Sequence, residues 1–228
     1  MPRWGMVVDL RKCIGCESCV TACSEFHHVH GNRWRRVIDC ADNPVSDRQR
    51  LFVHQSCMHC DDPPCVMVCP TTASYIRSDG IVLIDHDKCV GCGSCVLACP
   101  YGARTVLKAD NVVVGESELM GSDVRSRIDK KGLCTKCTFC HTRIDEGLGK
   151  GLTPGEDEAA TPMCVATCSS GALHFGDLDD PDSRINHLIR DNLTTQMQVQ
   201  MSTGPAVFFI VPEWWSAYCE QASPGEKD

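Results

Sequence analysis

The sequence predicts an α+β fold in which a small cysteine-rich unit occurs twice, with short β-hairpins and connecting loops. Three observations predict it. Sixteen of the 19 cysteines fall into four groups of four. The groups alternate in kind, A-B-A′-B′: residues 12–23 read KCIGCESCVTAC and 88–99 read KCVGCGSCVLAC, while CVMVCPTTA at 65–73 matches CVATCSSGA at 164–172 more weakly. Aromatic residues make up only 6% of the chain and cysteine supplies much of its apolar content, so an ordinary hydrophobic core is thin.

In chain order, the apolar stretch 6–8 leads into the first group, Cys13, Cys16, Cys19 and Cys23, spaced C-x2-C-x2-C-x3-C. The second group is Cys57, Cys60, Cys65 and Cys69, followed by Pro70. Residues 73–76, a turn at 78–80 and residues 81–84 predict a hairpin. It leads into Cys89, Cys92, Cys95 and Cys99, which repeat the first spacing and end on Pro100. The fourth group is split, with an acidic Gly/Pro-containing loop at 148–163 between Cys137 and Cys140 and the later Cys164 and Cys168. Cys134 makes another C-x2-C with Cys137, so a shifted register stays open. A short strand is expected before each group, and a single helical turn between its third and fourth cysteine, ended by Pro70 or Pro100. Residues 182–195 are consistent with a helix, 206–211 with a buried strand, and the end from Ala222 with a frayed tail.

The spacing is that of cubane iron–sulfur ligation. Three thiolates drawn from one short turning loop wrap a cluster, and Gly15, Gly91 and Gly93 stand where that loop needs positive φ or close backbone approach. The fourth cysteine, one helical turn on, points away and reaches a neighbouring cluster, so such motifs work in pairs. Structural zinc uses separated CxxC pairs or Cys/His mixtures rather than repeated dense runs of four. An odd cysteine count in a chain of this length disfavours a disulfide framework. The expected cofactors are therefore four [4Fe–4S] clusters, and folding without iron and sulfide should fail.

The formal charge is −8, and four oxidised clusters with their thiolates would add about −8 more. Such a surface does not suit nucleic acid. No run of 18 apolar residues offers a membrane span, and residues 1–9 show neither an h-region nor a twin-arginine leader, so export is expected to need a partner. There is no nucleotide-binding glycine loop and no nucleophile-plus-base motif, which predicts a chain without catalysis of its own.

The four motifs in this order resemble the four-cluster, ferredoxin-like electron-transfer (beta) subunits of the membrane-associated molybdopterin oxidoreductases, the polysulfide, thiosulfate, tetrathionate, sulfite and dimethyl sulfoxide enzymes. The resemblance spans roughly residues 4–180. It rests on GMVVDLRKCIGCESCVTAC at the start, WRRV at 34–37, CMHCDDPPCVMVCP at 57–70, DKCVGCGSCVLACPYGAR at 87–104, KCTFCHTRI at 136–144 and GALHFGDLDDP at 171–181. It implies a wire between a catalytic subunit carrying a molybdenum or tungsten bis-pterin and an integral membrane subunit that exchanges electrons with quinone. A subunit of a hydrogenase or formate-oxidising complex, or a free-standing polyferredoxin, is the alternative.

By analogy with that family, Cys13, Cys16 and Cys19 share a cluster with Cys168, and Cys137, Cys140 and Cys164 share one with Cys23. Cys57, Cys60 and Cys65 join Cys99, while Cys89, Cys92 and Cys95 join Cys69. Residues 1–56 with 134–180 then form the first double-cluster ferredoxin-like unit, 57–133 the second, and 181–228 a C-terminal helix/strand extension. The chain is expected at the membrane through its partners, on the cytoplasmic face, or periplasmic by co-export. Serine follows Cys23 and Cys168 where the family has proline, and Arg143 stands at the family spacing from Cys140, which favours the Cys137/Cys140 register over Cys134.

Other candidates have plainer readings. Cys40 and Cys219 are expected to be buried structural thiols, and His27, His28 and His30 a solvated loop rather than ligands. Lys12, Lys88, Lys136 and Arg143 flank cluster cysteines, where they would either raise reduction potentials or lie solvated at the edge. The pair Trp214 and Trp215 reads as packing or a subunit contact.

Overall fold

The computed structural model describes residues 1–29, 34–40, 50–107 and 132–215; Cys219, His30 and the tail from Ala222 lie outside them. The fold is α+β. Strand β1 (Trp4–Asp9) pairs antiparallel with β8 (Leu173–Asp177) and parallel with β10 (Val207–Ile210), which carries the short β9 (Thr194–Thr195) at its other side. A strand flanked on both edges and covered on both faces must be apolar almost throughout, and every residue of WGMVVD is buried. Met6 and Val8 join the main core with Phe175, Val207 and Phe209. Val7 and Ile210 point the other way, onto Ile185 of the helix at Arg184–Asp191. The expected buried strand at 206–211 is thus β10, and the C-terminal segment joins the sheet that precedes the first cysteine group.

Three hairpins aim the remaining groups: β2 (Arg36–Asp39) with β3 (Phe52–Gln55), β4 (Ser74–Ile76) with β5 (Val82–Ile84), and β6 (Thr105–Val106) with β7 (Cys134–Thr135). The middle one is the hairpin expected at 73–84, with Tyr75 opposite Leu83 and Gly80 at φ 82° in its turn. As expected, a strand precedes each group.

Single helical turns lie between third and fourth cysteines at α2 (Pro64–Met67), α3 (Ser94–Ala98) and α5 (Met163–Ala166), with α4 (His141–Gly149) preceding the last. The first group departs from expectation, because α1 (Ser18–His27) runs past Cys23. Ser24 stands where Pro70 and Pro100 stand after their cysteines, and nothing there removes a backbone donor. His27 and His28 therefore close a helix instead of lying in a solvated loop. The loop expected at 148–163 is partly structured too: α4 takes its first residues, and a 3-10 turn at Glu158–Ala160 packs Ala160 against Gly147. The helix expected at 182–195 is α6 (Arg184–Asp191), started by the Ser183 side chain accepting from the Asn186 N–H and ended where Asn192 turns extended toward β9.

Gly91 shows how tightly the third group is set. Its φ is +68°, and a Cβ there would lie 1.9 Å from the Gly132 carbonyl oxygen. Gly91→Ala should cost about 3 kcal/mol, from left-handed strain plus a backbone clash, seen as a lower temperature at which cluster absorption is lost.

Candidate metal centres

The turning loops adopt the backbone their glycines predict: Gly15, Gly91 and Gly93 have φ of 71°, 68° and 78°. Glu17 takes the same left-handed position that Gly93 holds in the third group, at φ 55°, which costs about 1–2 kcal/mol in a residue with a Cβ. These loops bring cysteines distant in sequence together. Cys57, Cys60, Cys65 and Cys99 line one cavity, with Arg104 on its wall. Cys89, Cys92, Cys95 and Cys69 line another.

The cysteines of the first and fourth groups act on one another electrostatically. Burial pushes the Cys19 thiol up to about 11, with Cys164, Cys168 and Cys13 adding to the rise. The Cys13 thiol is raised by burial and by Cys168 and Cys16, and Cys16 reaches Ser169, next to Cys168, at 4.0 Å. Burial raises Cys23 as well, and the neighbours that add to it are Cys137, Cys164 and Cys140. Burial likewise pushes Cys137 up to about 11. Thiols so placed resist ionising by themselves, and iron bound in their midst supplies the compensating positive charge.

Backbone donors reach three of the fourth cysteines: Ser74 N–H to Cys69 Sγ at 3.4 Å, Ala103 N–H to Cys99 Sγ at 3.5 Å and Ala172 N–H to Cys168 Sγ at 3.3 Å. Each comes from the turn that follows its cysteine. Buried arginines fit the same purpose. Arg35 is 1% exposed and Arg104 3%. Arg104 Nε and Nη2 and Arg35 Nε find no partner among the described residues. Buried donors of this kind suit a cluster, whose sulfides and thiolates accept hydrogen bonds and carry negative charge.

Cys134 lies in the third-group cavity with its sulfur 3.4 Å from Cys95 Sγ. Its thiol is pushed up and that of Cys95 down, chiefly by the contact between them. On the family pairing, Cys23→Ala should damage the cluster expected at Cys137, Cys140 and Cys164 while the one expected at Cys13, Cys16 and Cys19 survives, whereas Cys134→Ser should leave every cluster in place. Electron paramagnetic resonance of the reduced protein would count them, and a cluster lost in Cys134→Ser but kept in Cys140→Ser would reverse the register.

The flanking cations divide. Lys12 and Lys88 are exposed and pair with Asp9 and Asp85. Lys136 is 1% exposed, and its ammonium donates to the Val82 and Cys137 carbonyls. Arg143 donates to the Thr161 and Glu158 carbonyls and lies over the Phe26 ring, so it ties the 148–163 segment down. Trp214 and Trp215 pack on the main core. Cys40 is half-buried rather than buried, with its thiol 3.9 Å from the Ile38 carbonyl. Residue-by-residue reading passed over Arg35, His54 and Arg104. Arg35 stands in the run RWRRV with two other arginines and Arg104 in PYGARTV, where spacing marks out neither.

Comparison with known proteins places the molecule. A 4Fe-4S dicluster domain family matches residues 48–114, and a 4Fe-4S binding domain family matches residues 4–25. The chain is 38% identical over 224 residues to a protein of Halobacterium salinarum provisionally named as the iron–sulfur subunit of a dimethyl sulfoxide reductase, covering 92% of this chain and 79% of the relative. It is 35% identical over 236 residues to the arsenate respiratory reductase iron–sulfur subunit ArrB of a Shewanella species, covering 91% and 96%. With the B component of the polysulfide reductase of Wolinella succinogenes it shares 34% over 211 residues, covering 91% and 94%. This chain is a member of the iron–sulfur (beta) subunit family of the molybdopterin oxidoreductases and is an electron-transfer component, not a catalytic one.

Proposed function

We propose that the chain conducts electrons through four [4Fe–4S] clusters between a catalytic subunit with a molybdenum or tungsten bis-pterin and a quinone-reactive membrane subunit, in the respiration of a sulfur compound or a related substrate. The observation that carries this is the exchange of fourth cysteines: Cys99 lines the second group's cavity and Cys69 the third's. Dense runs of four whose fourth cysteine crosses to the other set are the ligand pattern of two-cluster ferredoxins. The ligand sets are Cys13, Cys16, Cys19 and Cys168; Cys137, Cys140, Cys164 and Cys23; Cys57, Cys60, Cys65 and Cys99; and Cys89, Cys92, Cys95 and Cys69.

The fold is then a duplicated double-cluster unit. Residues 1–56 with 134–180 make one half, 57–133 the other, and 181–228 an extension that completes the first sheet. A contact between corresponding residues supports the duplication: His59 and Phe139 each immediately precede the second cysteine of a B group, share φ near 50° and stack with ring centroids 3.7 Å apart. When bound, each cluster accepts and releases one electron, and the chain's own part is to hold the thiolates, shut out water and supply N–H donors.

Membrane attachment comes through partners. Among the described residues no helix is long and apolar enough to cross a membrane. The cytoplasmic face is the favoured side and co-export the alternative, distinguishable by protease protection in oriented vesicles. The anaerobically purified chain should hold about sixteen iron and sixteen acid-labile sulfide. Stoichiometric zinc in a fully functional preparation would overturn the reading.

A further inference from the structure

Corresponding positions of the two halves carry a buried arginine and a side chain that meets a group cysteine. Arg35 immediately precedes β2 and Arg104 immediately precedes β6. His54 on β3 and Cys134 on β7 each stand three residues before the first cysteine of a B group. Each hairpin therefore has a buried arginine just before one strand and a side chain capable of donating a hydrogen bond on the other.

In the first hairpin, Arg35 Nη1 lies 3.0 Å from His54 Nδ1. A guanidinium has donors only, so Nδ1 must accept and the ring proton must sit on Nε2. That Nε2 is 3.2 Å from Cys13 Sγ and donates to it. Arg35 is itself held by a second contact, Nη2 to Met6 Sδ at 3.0 Å, which fixes the guanidinium to the central sheet.

In the second hairpin, Cys134 Sγ lies 3.4 Å from Cys95 Sγ, and the Arg104 charge bears on both sulfurs. Arg104 is anchored through Nη1 to Ser74 Oγ at 2.7 Å. A sulfur that binds iron has given up its proton, so in a Cys134–Cys95 pair the remaining proton stays on the non-ligand, Cys134.

We propose that His54, oriented by Arg35, and Cys134 occupy one repeated position that presents one hydrogen-bond donor to one ligand sulfur in each half, Cys13 and Cys95, and so raises the reduction potentials of the first- and third-group clusters. A donor withdraws electron density from the ligand sulfur and stabilises the more negative, reduced cluster. An imidazole N–H is a stronger donor than a thiol S–H, so the cluster at Cys13 is raised more. The duplicated frame thereby gives the Cys13 and Cys95 clusters unequal donors at one substituted position, while His27 Nε2 lies 3.1 Å from Cys140 Sγ beside a different centre. This inference rests on the four-cluster reading above.

The experiment is a redox titration of the anaerobically purified holo complex, followed by electron paramagnetic resonance, with iron and sulfide measured on the same samples. His54→Leu and Cys134→Ala delete the donors, while His54→Gln and Cys134→Ser retain one. His54→Leu should shift the one-electron equilibrium of the Cys13 cluster about tenfold toward oxidised, equivalent to about 59 mV. Cys134→Ala should shift the Cys95 cluster in the same direction by less, and both donor-retaining variants should stay near wild type. Full cluster content with unmoved potentials, or equal shifts in deleting and retaining variants, overturns the proposal and leaves the four-cluster reading standing. Wild-type protein without iron and sulfide removes that reading first. Should a deleting variant fail to assemble, the wild type decides: with 15N-histidine labelling, a nitrogen coupled to a reduced cluster and absent from His54→Gln supports the contact, and no such coupling overturns it.

Discussion

Loss of the cluster assigned to Cys89, Cys92, Cys95 and Cys69 is expected to abolish electron flow between quinone and the distal active site. Tunnelling falls off steeply with distance, so a missing centre opens a gap that its neighbours do not bridge. Cys92 is the ligand of choice for the test because it is exposed, so Cys92→Ser disturbs little packing. Turnover of the catalytic partner with an artificial dye that reaches its cofactor directly should continue. Quinone-linked activity that survives demonstrated loss of this cluster in an assembled complex would sink the wire and leave a structural role as the better account.

Removing iron and sulfide is expected to unfold most of the chain. The buried clusters of side chains contain many of the proposed ligands themselves: Cys19, Cys57, Cys60, Cys137 and Cys164 sit in the main core, and Cys65 and Cys95 in a second one. Without iron, thiols that burial pushes up remain protonated and line cavities that no side chain fills. The short hairpins have too few strands to stand alone. Chelation under anaerobic conditions should therefore abolish near-ultraviolet circular dichroism and open 57–107 to protease, with iron, sulfide and thiol restoring both. Retention of native tertiary signals by the iron-free chain would show that the clusters are passengers in an independently stable fold.

Local features were legible in the chain itself. Ligands that share one loop lie a few residues apart, so their spacing records the shape of the metal centre directly, and Gly15, Gly91 and Gly93 record the backbone it needs. The hairpin at 73–84 and the strand at 206–211 were readable because alternation and turn residues are short-range signals. The length of α1 was less legible, because serine follows both Cys23 and Cys168, yet α1 runs on to His27 while α5 stops at Ala166.

Other features depend on which strands pair, and pairing is decided by packing across the whole molecule. Cys134 stands three residues from Cys137 yet meets Cys95, because β7 pairs with β6 and carries it to the third group. Arg35, His54 and Cys13 come from separate elements, and their contact exists only once β2 pairs with β3 beside the first loop. A linear pattern records which atoms are able to bind iron; which buried donors face them is set by long-range closure of the fold, where the low-dielectric interior makes each such contact count.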